Sequence, residues 1–253
     1  PRSTPKPSSA ASDVYKRQIV GKNCRIGPFC YVSSDCVLED NIELFSHVSV
    51  VGKTLIGKNT KVWPFASIGH YPQDLKYKGE NNELIIGSDN KIRESVSINP
   101  GTKGGGGTTK IGNNCLFMLG SHIGHDCQLG NGIILANNAA LAGHVSLGDN
   151  VTIGGLSGVH QFVRIGEGAF IGALSMVAKD VIPFGMVYGE RAKLMGLNLV
   201  GLRRSGTNNK QIKELKSVYD NIFFDQKTFN KNCLLYTSPS PRDVEESRMP
   251  ASA

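Results

Sequence analysis

Four of the six histidines, His122, His125, His144 and His160, crowd into the middle of the chain beside Asp126, Gly143 and Gln161. An imidazole with an adjacent carboxylate and an exposed glycine amide has the parts of general-base acyl transfer: a base, its orienting group and an oxyanion donor. For any single one of these residues a solvated turn is the plain alternative, and only their convergence argues for a site. Zinc is the rival chemistry, because His122 and His125 could supply two of the three imidazoles that such a site usually takes. The wider His-x4-His spacing is absent, and no metal is expected.

What positions these residues is a beat of six. An apolar residue returns at every sixth position from Val20 to Ile68, resumes in the same frame at Ile86, Ile92 and Ile98, and restarts one residue out of step at Ile111 to run unbroken to Val177. A helix would repeat near 3.6 and a flat strand at 2, whereas a hexad fits a short strand plus a corner, three of which close an 18-residue triangular coil. The chain is therefore expected to be all-β, a parallel β-helix of hexapeptide repeats followed by a short C-terminal α-helical segment. The residue four after each beat is small or β-branched, as in Cys24, Thr60, Ala66, Ser121, Ala139 and Ser157, and shares the inward face with the beat. Gly, Asn and Asp crowd the two positions after the beat, where the corner is expected to need unusual dihedrals. Such a coil stacks His125, Gly143 and Gln161 on one edge, with His122, Asp126, His144 and His160 beside them, all expected on the outside of the prism.

Two stretches break the rhythm. Residues at about 69–85, centred on His70-Tyr-Pro-Gln-Asp-Leu-Lys-Tyr-Lys-Gly79, read as a loop that stands off the prism and rejoins it in register. Gly101-Thr-Lys-Gly-Gly-Gly-Gly-Thr-Thr109, within about 101–110, adds the residue that shifts the frame. No Gly-Lys-Ser/Thr follows the glycines and no strand-to-helix context surrounds them, as a phosphate-binding loop requires, and the segment reads as a flexible excursion. The solenoid is expected over 19–190 and a truncated helical segment over 191–232. There Ile212, Leu215, Val218, Tyr219, Ile222 and Phe223 fall at helical spacing and would cap the last open edge. The ends, 1–18 and 233–253, carry no apolar period, are rich in Ser, Pro and Arg, and read as extensions foreign to the fold.

Those ends contribute +3 and −1 to the formal charge of +7, leaving +5. That balance fits phosphate-bearing or acidic partners, but there is no Lys/Arg run of the kind that grips nucleic acid. No stretch approaches the roughly eighteen apolar residues of a membrane span, so a cytoplasmic protein without integral membrane contact is expected. Cys24, Cys30, Cys36, Cys115 and Cys127 share the small inward slot and read as core filler, with Cys233 in the tail. The outside of a prism is flat, and pockets form where two surfaces meet. Leu116, Ile134, Thr152 and Phe170 stack on one outward face with Leu156 and Leu174 alongside, which predicts packing against further copies. A threefold oligomer with its sites in the clefts between prisms is the expectation.

At His122-Ile-Gly-His-Asp-Cys127, Leu135-Ala-Asn-Asn-Ala139, Leu141-Ala-Gly-His-Val145 and Val159-His-Gln-Phe162 the chain resembles the UDP-N-acetylglucosamine acyltransferases of lipid A biosynthesis. The likeness extends through Gln73-Asp-Leu-Lys-Tyr77, Ile92-Arg-Glu-Ser95 and Gly196-Leu-Asn-Leu-Val-Gly-Leu-Arg-Arg204. The resemblance implies a homotrimer and a left-handed helix, which periodicity leaves open and the usual right-handed crossover preference would deny. It implies transfer of an (R)-3-hydroxyacyl chain from acyl carrier protein to the 3-hydroxyl of UDP-N-acetylglucosamine, the first step of lipid A biosynthesis. No cofactor beyond the carrier's phosphopantetheine thioester, and no metal, is then needed.

On that resemblance His125 matches the general base, Asp126 its orienting group and the Gly143 amide the oxyanion donor. Gln73, Asp74, Lys76, His122, Asn137, His144, His160 and Gln161 match substrate contacts. Asn198 and Arg204 match the nucleotide-sugar side, where a guanidinium suits a pyrophosphate, and Ala173 and Arg191 the acyl-length ruler. Lys210, Lys213 and Lys216 would meet an acidic carrier protein. The chain departs from the pattern at Val200, where some members carry a carboxylate, at Ser205, where others carry a basic residue, and at Ala173, larger than the glycine of long-chain members. Two rival readings stand beside this one. A related hexapeptide-repeat N-acyltransferase acting on a UDP-amino sugar would carry an N-terminal uridine-binding domain, which nothing upstream of Ile19 resembles. A non-enzymatic structural solenoid of the ice-binding kind would need an outward Thr-x-Thr ladder, which is absent.

Overall fold

The structure, a computed structural model, describes residues 19–223. The two ends read as foreign, residues 224–232 of the expected helical segment and Cys233 lie outside the described residues. The beat of six becomes structure directly: from Ile19–Val20 to Met176–Val177, 24 short strands each end on a beat residue. Successive strands feed three sheets in turn, called A, B and C here, so that each sheet gains one parallel strand per coil. The column is a left-handed parallel β-helix. Its connections are corners of a few residues, too short for the crossover preference of long connections to set the hand.

Beat side chains such as Ile56, Ile98, Leu135 and Ile153 are fully buried, and Cys36, Thr60, Ala66, Ser121 and Ala139 four residues on are buried with them. A core only three short strands around has room for one branched and one small side chain per hexad, and close packing enforces both. Burial pushes the Cys115 thiol up to about 11 and the Cys127 thiol to about 12, which makes them packing groups rather than nucleophiles. Val20 and Ile26 are exposed because no described coil covers them.

The unusual dihedrals fall one position later than the sequence implied. Positive φ occurs at the third residue after the beat, as at Asn23, Asn41, Asn59, Asn114 and Asn150, and at the first two only at Gly69 and Gly52 among the described beats. The reason is that the first residue after the beat still hydrogen-bonds as strand: Gly21 N donates to Leu38 O at 2.7 Å and Gly124 N to Leu141 O at 2.9 Å. Asn and Asp tolerate the left-handed region. Here they also chain from coil to coil, Asn23 Nδ2 donating to Asn41 Oδ1 at 3.3 Å, Asn41 to Asn59 at 3.1 Å and Asn59 to Asp89 at 3.0 Å.

Both interruptions are shorter than expected. The first rejoins through Glu83–Ile86, which pairs in register with Lys53–Ile56 on one side and Thr108–Ile111 on the other. The glycine-rich segment is not a flexible excursion. Gly101 N donates to Glu83 O at 3.2 Å, Glu83 N to Gly107 O at 2.8 Å and Gly107 N to Thr102 O at 2.8 Å, and Lys103–Gly105 form a 3-10 turn. A segment rich in glycine was read as loose because glycine has most conformational freedom to lose, but three backbone bonds close this one.

Past the last coil Gly185–Tyr188 joins sheet B and pairs antiparallel with Lys193–Leu197. The early part of the expected helical segment is thus strand, and helix begins with α1, Leu199–Arg204, followed by α2, Asn209–Phe223. The chain divides into two compact units between Gly201 and Leu202. In the second, α2 opens on a reciprocal cap: Gln211 N donates to Asn208 Oδ1 at 3.0 Å and Asn208 N to Gln211 Oε1 at 3.2 Å. It buries Ile212 and Tyr219 and exposes Lys210, Lys213 and Lys216. Among the described residues no helix is long and apolar enough to cross a membrane.

Candidate active site

Three consecutive coils bring the chemistry to the corner where sheet C passes into sheet A. Strands His122–Ile123, Ala140–Leu141 and Gly158–Val159 are paired in register, so the corner residues that follow are stacked: His125 and Asp126, then Gly143 and His144, then Gln161 and Phe162. Backbone bonds fix the stack, His144 N donating to His125 O at 2.8 Å and Phe162 N to Gly143 O at 3.3 Å. Asp126, His144 and Phe162 all take the left-handed corner conformation.

His125 Nδ1 donates to Asp126 Oδ2 at 2.7 Å, which assigns the proton to Nδ1 and leaves the Nε2 lone pair to act as base. The ring lies against the α-carbon of Gly143: a methyl group there would stand 2.5 Å from Cε1 and 2.6 Å from Nε2. The Gly143 N–H has no hydrogen-bond partner among the described residues. What that amide can do is visible one corner away, where the equivalent Asn131 N–H takes the Asp149 carboxylate at 2.7 Å and Lys22 N–H takes Asp40 at 2.8 Å. A backbone N–H at this position donates to anionic oxygen, as an oxyanion site requires. His144 packs edge-on against His125, centroids 4.9 Å apart, and lies flat on Phe162 at 4.4 Å and 7°.

The sequence placed His125 and Asp126 on the open outside, and that expectation is corrected. They do lie outside the core of the prism, but both are buried, with 7% and 4% exposure. The cover is the glycine-rich segment. Thr102 N donates to Asp126 Oδ1 at 2.8 Å and Thr102 Oγ1 to Oδ2 at 2.6 Å, while Gly105 sits so close that a methyl on it would overlap the carboxyl group. From the core side Asp126 N donates to Thr109 Oγ1 at 2.8 Å. None of Thr102, Gly105 or Thr109 was singled out from the sequence for this role. Phe162 could have been, since it lies one coil after His144.

His122 is half-buried on sheet C, its Nδ1 paired with Ser97 Oγ at 2.8 Å. Burial first, and the charge of His125 second, hold its pKa below the ordinary histidine value. The trio whose ligand atoms lie within 4.8 Å of one another is His125, Asp126 and His144, so the imidazole grouped with that pair is His144, and the His122 of the zinc reading is outside the trio. Asp126 Oδ2 already accepts from Thr102 and His125, an arrangement that fixes the orientation of the ring.

The other residues singled out from the sequence are spread more widely. His160 and Gln161 are exposed on the same stack. Asn137 and Ala173 lie on the corner between sheets B and C, across sheet C from His125, and both are exposed. Gln73, Asp74 and Lys76 occupy the first loop, which Asp74 shapes by accepting from Lys76 N at 2.9 Å. Arg191 is exposed between the last two strands. Asn198 is committed to backbone, donating to Gly168 O at 2.9 Å and accepting from Gly201 N at 2.9 Å. Arg204 ends α1, exposed, in the second unit. One chain therefore gathers His160 and Gln161 with the His125 corner and sets Asn137 and Ala173 on a different corner of the same column.

Residues 180–246 match the family profile described as UDP N-acetylglucosamine O-acyltransferase, domain 2. The acyl-acyl-carrier-protein–UDP-N-acetylglucosamine O-acyltransferase of Sinorhizobium fredii is 47% identical over 222 residues, covering 88% of this chain and 82% of that protein. The chain belongs to the UDP-N-acetylglucosamine O-acyltransferase family. The family member of Paracoccus denitrificans is 58% identical over 157 residues, covering 62% of this chain and 60%, less than two thirds, of the relative. The solved structure of LpxA from Acinetobacter baumannii is 39% identical, with a TM-score of 0.85 over 93% of this chain and 91% of that one. The likeness to the family thus runs along almost the whole column and includes the His125 corner.

Proposed function

We propose that this chain transfers an (R)-3-hydroxyacyl group from acyl carrier protein to the 3-hydroxyl of UDP-N-acetylglucosamine, the first step of lipid A biosynthesis. The observation that carries the reading is the His125–Asp126 pair set against a glycine whose amide is uncommitted, in a member of this family. As the sugar hydroxyl oxygen bonds to the thioester carbonyl carbon, His125 Nε2 takes its proton. The Gly143 N–H meets the negative carbonyl oxygen. Collapse breaks the carbon–sulfur bond, and the imidazolium returns the proton to the leaving thiolate. Atoms and charge balance without an acyl-enzyme or a further cofactor, and a positioned base of this kind contributes on the order of 10² to 10⁴ in rate.

The acting form in this reading is a homotrimer in the cytoplasm. Support for assembly comes from Asn137 and Ala173, which lie across sheet C from His125 on one chain, and from the exposed corner leucines Leu119, Leu156 and Leu174 beside Leu116 and Ile134. Free thiols at Cys24, Cys30, Cys36, Cys115 and Cys127 fit a reducing compartment.

The test incubates the purified protein with 3-hydroxyacyl carrier proteins of several chain lengths and UDP-N-acetylglucosamine, and reads product mass. One hydroxyacyl ester per sugar is the expected product. No product with any carrier overturns the reading, and a His125→Ala variant with full turnover removes the proposed base.

A further inference from the structure

The reading above assigns a base, an orienting carboxylate and an oxyanion donor, but it leaves the carboxylate itself unexplained. Asp126 sits at a left-handed corner, and its side chain could rotate away from His125. Its surroundings prevent that. Oδ1 accepts from Thr102 N and Oδ2 from Thr102 Oγ1, so one residue holds both oxygens in a fork. A carboxylate gripped at both oxygens has one orientation left, and in it Oδ2 meets His125 Nδ1 at 2.7 Å. Thr102 is buried at 4% exposure and has an extended backbone, φ −124° and ψ 157°, which turns its N–H and hydroxyl to the same side. Gly105 leaves the gap into which the carboxyl group fits.

We propose that Thr102 is a positioning residue of the acyl transfer, acting through Asp126 on His125, and that the glycine-rich segment exists to place it there. The inference rests on the reading of His125 as the base. The shared oxygen makes the effect electrostatic as well as geometric. A hydroxyl donating to Oδ2 draws negative charge away from the His125 bond, so its loss strengthens the pull of Asp126 on the imidazolium. His144, with Nδ1 3.9 Å from the same oxygen, His122 on sheet C and the buried Cys127 thiol next to Asp126 are titratable groups near this pair.

The test compares wild type, Thr102→Val, Thr102→Ser and His125→Ala as full chains, with kcat, KM for both substrates and the pH profile of kcat/KM. Valine keeps the shape and the backbone donor but lacks the hydroxyl. Turnover in Thr102→Val is expected to fall by about tenfold to a hundredfold, the size of a lost hydrogen bond to a charged group. KM should stay within about twofold, and the acid limb should move to higher pH; serine should restore both rate and limb. Wild-type turnover and an unmoved limb in the valine variant, or serine as slow as valine, overturns the proposal. Should the valine variant fail to fold, Gly105→Ala decides, because its methyl displaces the same carboxylate and unchanged turnover there also overturns the proposal. If His125→Ala is inactive while Thr102→Val is normal, only the role of Thr102 falls; if His125→Ala is fully active, the base assignment falls first.

Discussion

The imidazole of His125 occupies the space that a side chain on Gly143 would need, with Cε1 2.5 Å from where a β-carbon would stand. Glycine at 143 is thus required by the neighbouring coil's ring, and its amide has no hydrogen-bond partner among the described residues, as the proposed oxyanion role needs. Gly143→Ala should push the ring from its bond with Asp126 and lower kcat by roughly a hundredfold, the cost of about 1 Å of misplacement. The column itself should melt as in wild type. Steady-state kinetics alongside thermal denaturation checks this, and normal turnover in the alanine variant would contradict the arrangement.

His144 rests flat on Phe162 and edge-on against His125, so Phe162 supports the base at one remove. Removing the aromatic platform in Phe162→Ala should cost about 1 kcal/mol, the usual worth of such a ring pair, and should lower kcat more than it raises KM. Urea denaturation and initial rates measured on the same sample separate the two effects. A stability loss with unaltered kcat would mean that the stack serves the corner alone.

The two halves of this site differed in how openly the sequence announced them. A beat of six is a local signal repeated through the column, and adding eighteen to 125 finds 143 and 161 without coordinates. His125 and Asp126 are adjacent, so their pairing needed no long-range information. Thr102 lies 24 residues from Asp126, across the frame shift, and no period connects them. The run of glycines was visible but ambiguous: the freedom that makes glycine suit a loose loop also lets a backbone approach a carboxylate closely. Burial of the pair followed from that segment, and so it was missed with it.

His122 makes stability depend on acidity with a definite sign. Its folded pKa lies below the unfolded value, for burial disfavours the imidazolium and the charge of His125 adds to this. Around pH 6.5, where an unfolded histidine is half protonated, and below it, the unfolded chain takes up a proton that the folded one refuses. Stability should therefore fall as pH drops from about 6.5 toward the lower folded value, and this residue should contribute no slope at higher pH. Urea midpoints of wild type and His122→Gln across that range test it: the variant should show the shallower decline, and identical slopes would refute the assignment.

Burial of two thiols predicts a chemical pattern. With Cys115 pushed up to about 11 and Cys127 to about 12, hardly any thiolate exists near pH 8, and access is closed as well. Iodoacetamide should leave both unmodified in the native protein and alkylate both after denaturation, as read by peptide mass spectrometry. Rapid native labelling of Cys127 would show that coils at the His125 corner open far more readily than a closed column allows.

Leu156 and Leu174 stand one above the other on the corner between sheets B and C, at φ +57° each and with 63% and 69% of their surface exposed. A large apolar residue in the left-handed region is unfavourable twice over, strained in the backbone and unsheltered from water. Asparagine, aspartate or glycine fills the equivalent position on the neighbouring A–B corner of the regular coils, and Asn138 stands just before the leucines, so leucine is not what the left-handed position itself prefers. Contact with another copy would offset both costs. Leu156→Asn with Leu174→Asn should relax the isolated chain and weaken the proposed assembly, shifting sedimentation velocity from the proposed trimer toward monomer while the far-ultraviolet spectrum stays unchanged. Turnover should fall with the trimer at low protein concentration and recover as concentration rises. A variant that remains fully trimeric at every concentration would take these two leucines out of the interface and leave their strain without a purpose.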